Sequence, residues 1–433
     1  MTPSPTTSTP SPPTSPRRTL GARLVAALRK PLEDPNPILL KELRATFRTA
    51  LFIRFLYLLT GFVGLFVLTW GAFLASGETP PAEVGQIVFH VFFSTIVVVL
   101  SFVAPTYAAA TITGEKRAGT FESLILSGMS PTRIVWGKFV ASFAAIVLVV
   151  IAVSPVVGMA FLFGGISPLA VMTGFAWVLL WLAPAVAFGI AVSARIESMW
   201  AAIVIAFVVY ATTCMMFVWP ITVALGELAH GEWGTPEGPF WFAEAFPDRI
   251  ATWQGWAFLV LVPLYCLGMP VWFFLASAIA GVQPAAEDRS TALKIWAVPA
   301  ILGQAAVATC AIAAITTTRE QSRFGVFTAL LGGFLVLFLA LLYCNEPPLP
   351  PRPSARPSLL ARVLAPIGPG AAGTLRFSFL AIAAASGIVP VIASVIRWLV
   401  APTGFDHAPY DAALCGLALG LSLIHISEPT RRS

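Results

Sequence analysis

The chain has 433 residues, 58% of them hydrophobic and only 11% charged, with a mean hydropathy of +0.85. An ordinary soluble domain carries about 25% charged residues, so this composition excludes a soluble enzyme or binding module and places the chain in a bilayer. The net charge of +6 does not call for nucleic acid, because it follows from basic residues gathered in alternate loops.

Residues 1–35 read as a tail. The first sixteen are Met followed only by Ser, Thr and Pro, which bury too little apolar surface to offset their ordering entropy, so a disordered cytoplasmic segment is expected. No apolar run precedes Lys30, which argues against a cleaved signal peptide. Order is expected to begin at Asn36-Pro37, a cap residue followed by one suited to a first helical turn. In NPILLKELRATFRTAL, residues Leu40, Leu43, Phe47 and Leu51 share a helical face, with Lys41, Arg44 and Arg48 as a basic stripe beside it. Such a helix suits the headgroup layer, either as an anchor for the next span or as a mechanical element.

Each crossing of the lipid core takes roughly 20 apolar residues, because only a helix satisfies its own backbone there. Spans are expected at 51–75, 87–110, 139–163, 168–193, 200–225, 256–280, 295–315, 324–343 and 377–396, with a tenth beginning near Ala412. The fold class is thus an all-α polytopic bundle of about nine to ten spans. Pro105, Pro155, Pro184, Pro220, Pro263 and Pro270 fall inside them and are read as kinks. Basic residues crowd before the first span and in alternate loops, including Lys116, Arg117, Arg133 and Lys138, then Arg195, then Arg289 and Lys294, then Arg352 to Arg376. The opposite loops hold only Arg249, Arg319, Arg323 and Arg397, so the amino terminus and residues 114–138 are expected in the cytoplasm.

The stretch 114–138, GEKRAGTFESLILSGMSPTRIVWGK, is long for a connection between helices. Phe121, Leu124 and Ile125 share a helical face, Gly119 and Gly128 bracket them, and Ser130-Pro131 offers a new helix start. A short helix parallel to the membrane is expected. Glu115, Lys116 and Arg117 lie where the second span leaves the bilayer and Lys138 where the third enters, as solvated interface charges or as part of a surface that receives a partner.

The pattern Glu115, Gly119-Thr120, Glu122, Leu124, Ser130-Pro131 and Gly137-Lys138, after a second span, resembles the permease subunits of type-2 ABC transporters. The opening NPILLKELR is similar to their start as well. The resemblance covers about residues 36–281 and implies a six-span permease core, one half of a homodimer or heterodimer in the inner (cytoplasmic) membrane. It further implies export of cargo driven by a separate ATP-binding subunit. By resemblance, the coupling segment that touches this subunit comprises Glu115, Lys116, Arg117, Gly119, Thr120, Phe121, Glu122 and Leu124, with Lys41, Arg44, Phe47 and Arg48 on the interfacial helix.

Residues 282–421 depart from the six-span plan: further spans surround a Pro, Ala and Arg-rich cytoplasmic linker near 345–375, and no repeat of GEKRAGTFESL occurs in them. The closing SLIHISEPTRRS resembles translated adapter read-through, so 422–433 is expected to be a non-native tail and the natural protein longer.

The chain offers no chemistry of its own. It has no G-x-x-x-x-G-K-[ST], since Gly137-Lys138 is followed by Phe139, so ATP and Mg2+ are assigned to the partner and no cofactor to this chain. His90, His230, His407 and His425 are scattered, and the five cysteines stand alone in or beside apolar runs as small packing residues. An enzyme is therefore not expected; a polytopic membrane enzyme and a non-transporting structural or sensory protein are the alternatives. His90, near the outer end of the second span, either lines a pathway or is hydrated at the interface. The outer loop 226–254 mixes acidic residues with Trp and Phe, which suits a cap on the outer interface or an acidic vestibule.

Overall fold

The computed structural model describes residues 37–314 except 78–79, 216–221, 224, 228, 231–233, 235–237 and 285–290. The expected tail, the spans at 324–343 and 377–396, the one near residue 412, the linker and the chain end lie outside the described residues. Among those described, every regular element is helical.

The chain enters through α1 (Pro37–Arg48) and continues into α2 (Ala50–Ala75) and α3 (Pro81–Arg117). The short α4 (Phe121–Leu126) leads to α5 (Pro131–Val153), which ends one residue before a 3-10 turn, Ser154–Val157. Pro155 sits in this turn, where the helix tightens to 3-10 geometry without leaving the helical path, since proline removes one hydrogen bond and blocks the turn before it. The remainder of the expected span is α6 (Gly158–Phe163).

Next come α7 (Pro168–Arg195), α8 (Met199–Thr213), α9 (Trp241–Arg249), α10 (Trp253–Trp256), α11 (Val262–Val282) and α12 (Thr291–Ala314). A π-helical turn, Ala257–Leu261, joins α10 to α11 just before Pro263. Five stretches are long and apolar enough to cross a bilayer: Phe52–Ala75, Pro81–Arg117, Pro131–Val157, Pro168–Arg195 and Trp253–Val282. The shorter α8 covers the first part of the span expected at 200–225, and most of the remainder lies outside the described residues.

α3 is the axis of the bundle. Its 37 residues reach about 55 Å at 1.5 Å per residue, whereas the hydrocarbon core is about 30 Å thick. Both ends therefore project past the span read from hydropathy. It packs most extensively on α7, and also on α8, α2 and α6, while α11 lies on the far side of α7 and α1 lies across α5. Small residues make the α3–α7 approach close: Ala108 lies against Gly189, with Ala104 and Ala185 buried in the same core, while Ala109 packs on Ala202 and Ala206 of α8. A Cβ at Gly189 would collide with the Pro105 carbonyl oxygen, so only glycine allows the two helices this close there. Nearer the start of α3, Phe93 contacts Phe89, Phe92, Phe175 and Phe240 with ring centroids 4.8–5.3 Å apart, a tilted aromatic cluster that dominates the core there. On the outside, Tyr57, Leu58, Leu65 and Phe73 of α2 are 65–73% exposed, an apolar face that suits lipid.

Candidate functional site

Where α3 ends, Gly119 and Gly128 hold φ of +68° and +76° and turn the chain into and out of α4. Only glycine takes such angles without strain, so these two residues isolate α4 as one and a half turns of helix between spans. Ser130 then caps α5 by accepting a hydrogen bond from the Arg133 amide at 3.3 Å, with Pro131 in the first turn.

No residue of α4 is buried. Phe121 and Leu124 turn partly inward, the Phe121 ring lying 5.7 Å below the Lys116 ammonium. Glu122 and Ile125 face outward, and Leu126 is 85% exposed. Arg117, Gly119 and Thr120 are exposed beside them.

Glu115 and Lys116, expected at the same surface, instead point inward. Lys116 Nζ donates to the carbonyls of Ser193, Ala194 and Ile196 at 2.9–3.2 Å, placing a cation on the C-terminal end of α7. The Ser193 hydroxyl in turn accepts from the Ile112 and Thr113 amides at 3.0 Å each, tying the same two helix ends a second time.

Glu115 is the centre of a four-charge cluster. Its two oxygens lie 2.9 Å from Lys41 Nζ and 3.0 Å from Lys138 Nζ, and Lys138 also reaches Glu42 at 2.8 Å and the Thr111 carbonyl at 3.4 Å. Lys138 is fully buried. A buried ammonium requires this saturation, since an unpaired one would neutralise rather than stay charged. The bond to Glu115, opposed by partial burial and helped by the charges of Glu115 and Glu42, holds Lys41 above its ordinary value of 10.5. A Thr46–Tyr107 hydrogen bond at 2.9 Å adds a further tie. Three elements, α1, α3 and α5, thus meet on one carboxylate.

α1 has three faces rather than two. Ile38, Glu42 and Thr46, spaced four apart, turn toward the bundle; Leu40 and Phe47 are exposed on the opposite side with Leu43 half-buried beside them; Lys41, Arg44 and Arg48 run between. The sequence reading found the last two faces. Glu42, Lys138 as its partner, Ser193 and Leu126 were missed as site residues, and the one available signal was the lone Glu42 amid basic neighbours.

The opposite part of α3 is different. His90 is mostly buried: Nδ1 accepts from the Phe240 amide at 3.3 Å, and Nε2 lies 3.5 Å from Glu244 Oε1. Glu244 belongs to α9, which is sunk into the bundle rather than resting on its rim. Trp241, Phe242, Ala243 and Ala245 are buried, with the Phe242 ring centroid 4.1 Å from that of Trp177 on α7. Among the described residues no three His, Cys, Asp or Glu side chains gather as a metal-holding group.

No family model, no curated protein and no solved structure matches the chain.

Proposed function

We propose that the chain is the membrane-embedded permease subunit of an ATP-binding-cassette transporter, exporting its cargo at the expense of ATP hydrolysed by a separate subunit. The observation that carries this reading is α4: an exposed apolar and acidic helix set between two spans whose bases are clamped together. A partner pressing on Glu122, Ile125 and Leu126 would meet a rigid seat, because Lys116 fastens α3 to α7 and the Glu115 cluster fastens α1 and α5 to α3. Force would then move helices together instead of deforming one loop. Closure of two ATP-binding subunits would drive α4 and α1 and rotate the spans between inward- and outward-facing arrangements, provided the contacts differ between the two states. Pairing with a second permease copy or a related permease completes the assembly.

Within this reading the contact surface is narrower than the motif. Glu122 remains in it with Arg117, Gly119 and Thr120, Leu126 joins it, and Glu115 and Lys116 position it. The test is purification of the tagged chain from its native membrane with and without Glu122→Lys plus Leu126→Asp. Vanadate-sensitive ATP hydrolysis should accompany the unaltered chain and be lost from the variant while its unfolding temperature stays the same. Hydrolysis that accompanies neither, or both equally, would overturn the assignment.

A further inference from the structure

A groove of about 360 Å³ opens between α1, α2, α3 and α5, more than twice the roughly 150 Å³ of a dry cavity that binds benzene. Phe52 and Phe55 of α2, Val103 of α3, and Ala145, Ile146 and Val149 of α5 form its walls. Among the described residues no charged side chain lines it, and its hydroxyls are already satisfied. Those of Thr46 and Tyr107 bond each other at 2.9 Å, and Thr49 donates to the Ala45 carbonyl at 2.7 Å. A polar occupant would give up hydrogen bonds made elsewhere, whereas a hydrocarbon enters without that cost.

The depth of the groove matches a single leaflet. Val149 lies eleven residues beyond Lys138 on α5, about 16 Å at 1.5 Å per residue, which is half of the roughly 30 Å hydrocarbon core. Lys138 is held by Glu42, one turn before Thr46 on α1, so the groove runs from the charged base of the bundle toward the middle of the membrane.

Its mouth is basic. Ala45 and Thr49, both exposed, form the rim, and Arg44 and Arg48 precede them in sequence, one helical step around. Arg54 stands next to Phe55 on α2. All three arginines are exposed, and none has a side-chain ion pair or hydrogen bond among the described residues, unlike Lys41 and Lys138, which Glu115 and Glu42 engage.

We propose that the groove holds one acyl chain of an anionic phospholipid from the leaflet in which α1 lies, with the headgroup on Arg44, Arg48 and Arg54. The second acyl chain stays in the bilayer on the open side. The walls select hydrocarbon and the rim selects negative charge, so the two halves of the ligand are recognised separately. The site requires a membrane-embedded bundle but no ATP-binding subunit, so it stands even if the permease reading falls.

The test releases the full chain from nanodiscs of equimolar phosphatidylglycerol and phosphatidylcholine and identifies retained lipid by native mass spectrometry. Phosphatidylglycerol should stay on the chain, favoured over phosphatidylcholine by roughly fivefold per arginine engaged. Arg44→Gln with Arg48→Gln should lower that preference at least about tenfold while lipid is still retained. Ala45→Trp, which fills the mouth, should reduce retention of both lipids at least about tenfold, and Val103→Phe fills the groove from α3 if the first variant does not fold. Four results would overturn the proposal: no retained lipid, as when another part of this chain covers the groove; a retained free fatty acid in place of phospholipid; retention indifferent to headgroup charge; or retention that neither filling variant reduces, as lipid around the perimeter gives.

Discussion

The two ends of α3 handle buried polar groups in opposite ways. At the end near residue 115 the buried charges sit against opposite ones: Lys138 has Glu42, Glu115 and the Thr111 carbonyl, although Glu115 Oε2 meets it as an ion pair without hydrogen-bond geometry, Lys116 has three carbonyls, and Ser193 has two amides. Near residue 90 the accounts are open, with Glu244 answered only by His90 at 3.5 Å and Ser94 and Trp241 not at all. A well-paired network holds parts in fixed relation; unpaired buried groups cost stability. The first suits a mechanical base.

The largest break in this contrast should come from Lys138→Met. It leaves Glu115 and Glu42 facing each other without their shared cation, and about 3–5 kcal/mol of stability should go, read as a lower unfolding temperature in detergent. Adding Glu115→Gln and Glu42→Gln should restore much of it, whereas a loss that survives the triple substitution would show that packing of the lysine stem, not charge, matters there. Ser193→Ala comes next, at about 1–3 kcal/mol, because two buried amides lose their acceptor. Glu244→Gln should move the unfolding temperature little or raise it, since the carboxylate it replaces is poorly paired; a loss as large as that of Lys138→Met would erase the distinction between the ends. Smaller still, Leu126→Asp should change stability by no more than about 0.5 kcal/mol, as the side chain is 85% exposed.

The smallest effect is one of pH. Lys41 has a folded-state value above 10.5, so its contribution is fully present below the ordinary lysine range and fades as pH rises through the raised value. Because its side chain is 62% exposed, the change should be slight and visible only above about pH 10.5, as looser α1 in hydrogen exchange. Lys41→Arg, which keeps its proton, should remove the pH dependence.

Much of this was legible in the sequence, for reasons particular residues make clear. Gly119, Gly128, Ser130 and Pro131 act on backbone within a few positions of themselves, so the limits of α4 could be read directly. The apolar and basic faces of α1 follow from helical spacing alone. What could not be read was pairing across the chain: Glu115 and Lys138 are separated by a whole helix–turn–helix, and Glu42 reaches Lys138 from another element, so interface charges that looked solvated are internal. The 3-10 turn at Pro155 was legible as a proline but not as a change of helix type, because how neighbours accommodate the missing bond depends on packing. The sinking of α9 likewise depends on which partner its aromatic face finds, and Trp177 is far from it in sequence. Whether a buried N–H is left over, as in Trp241, is a property of the assembled core alone.

The most direct measurement concerns which side of the membrane α4 faces and what covers it. Leu126→Cys, placed in a chain whose five native cysteines are replaced by alanine or serine, would be labelled with a membrane-impermeant maleimide in intact cells and in inside-out vesicles. Labelling is predicted only in inside-out vesicles, and there it should fall when the ATP-binding partner is retained and return when the partner is stripped. Labelling from the outside of intact cells, or labelling indifferent to the partner, would contradict a cytoplasmic coupling helix and with it the permease reading.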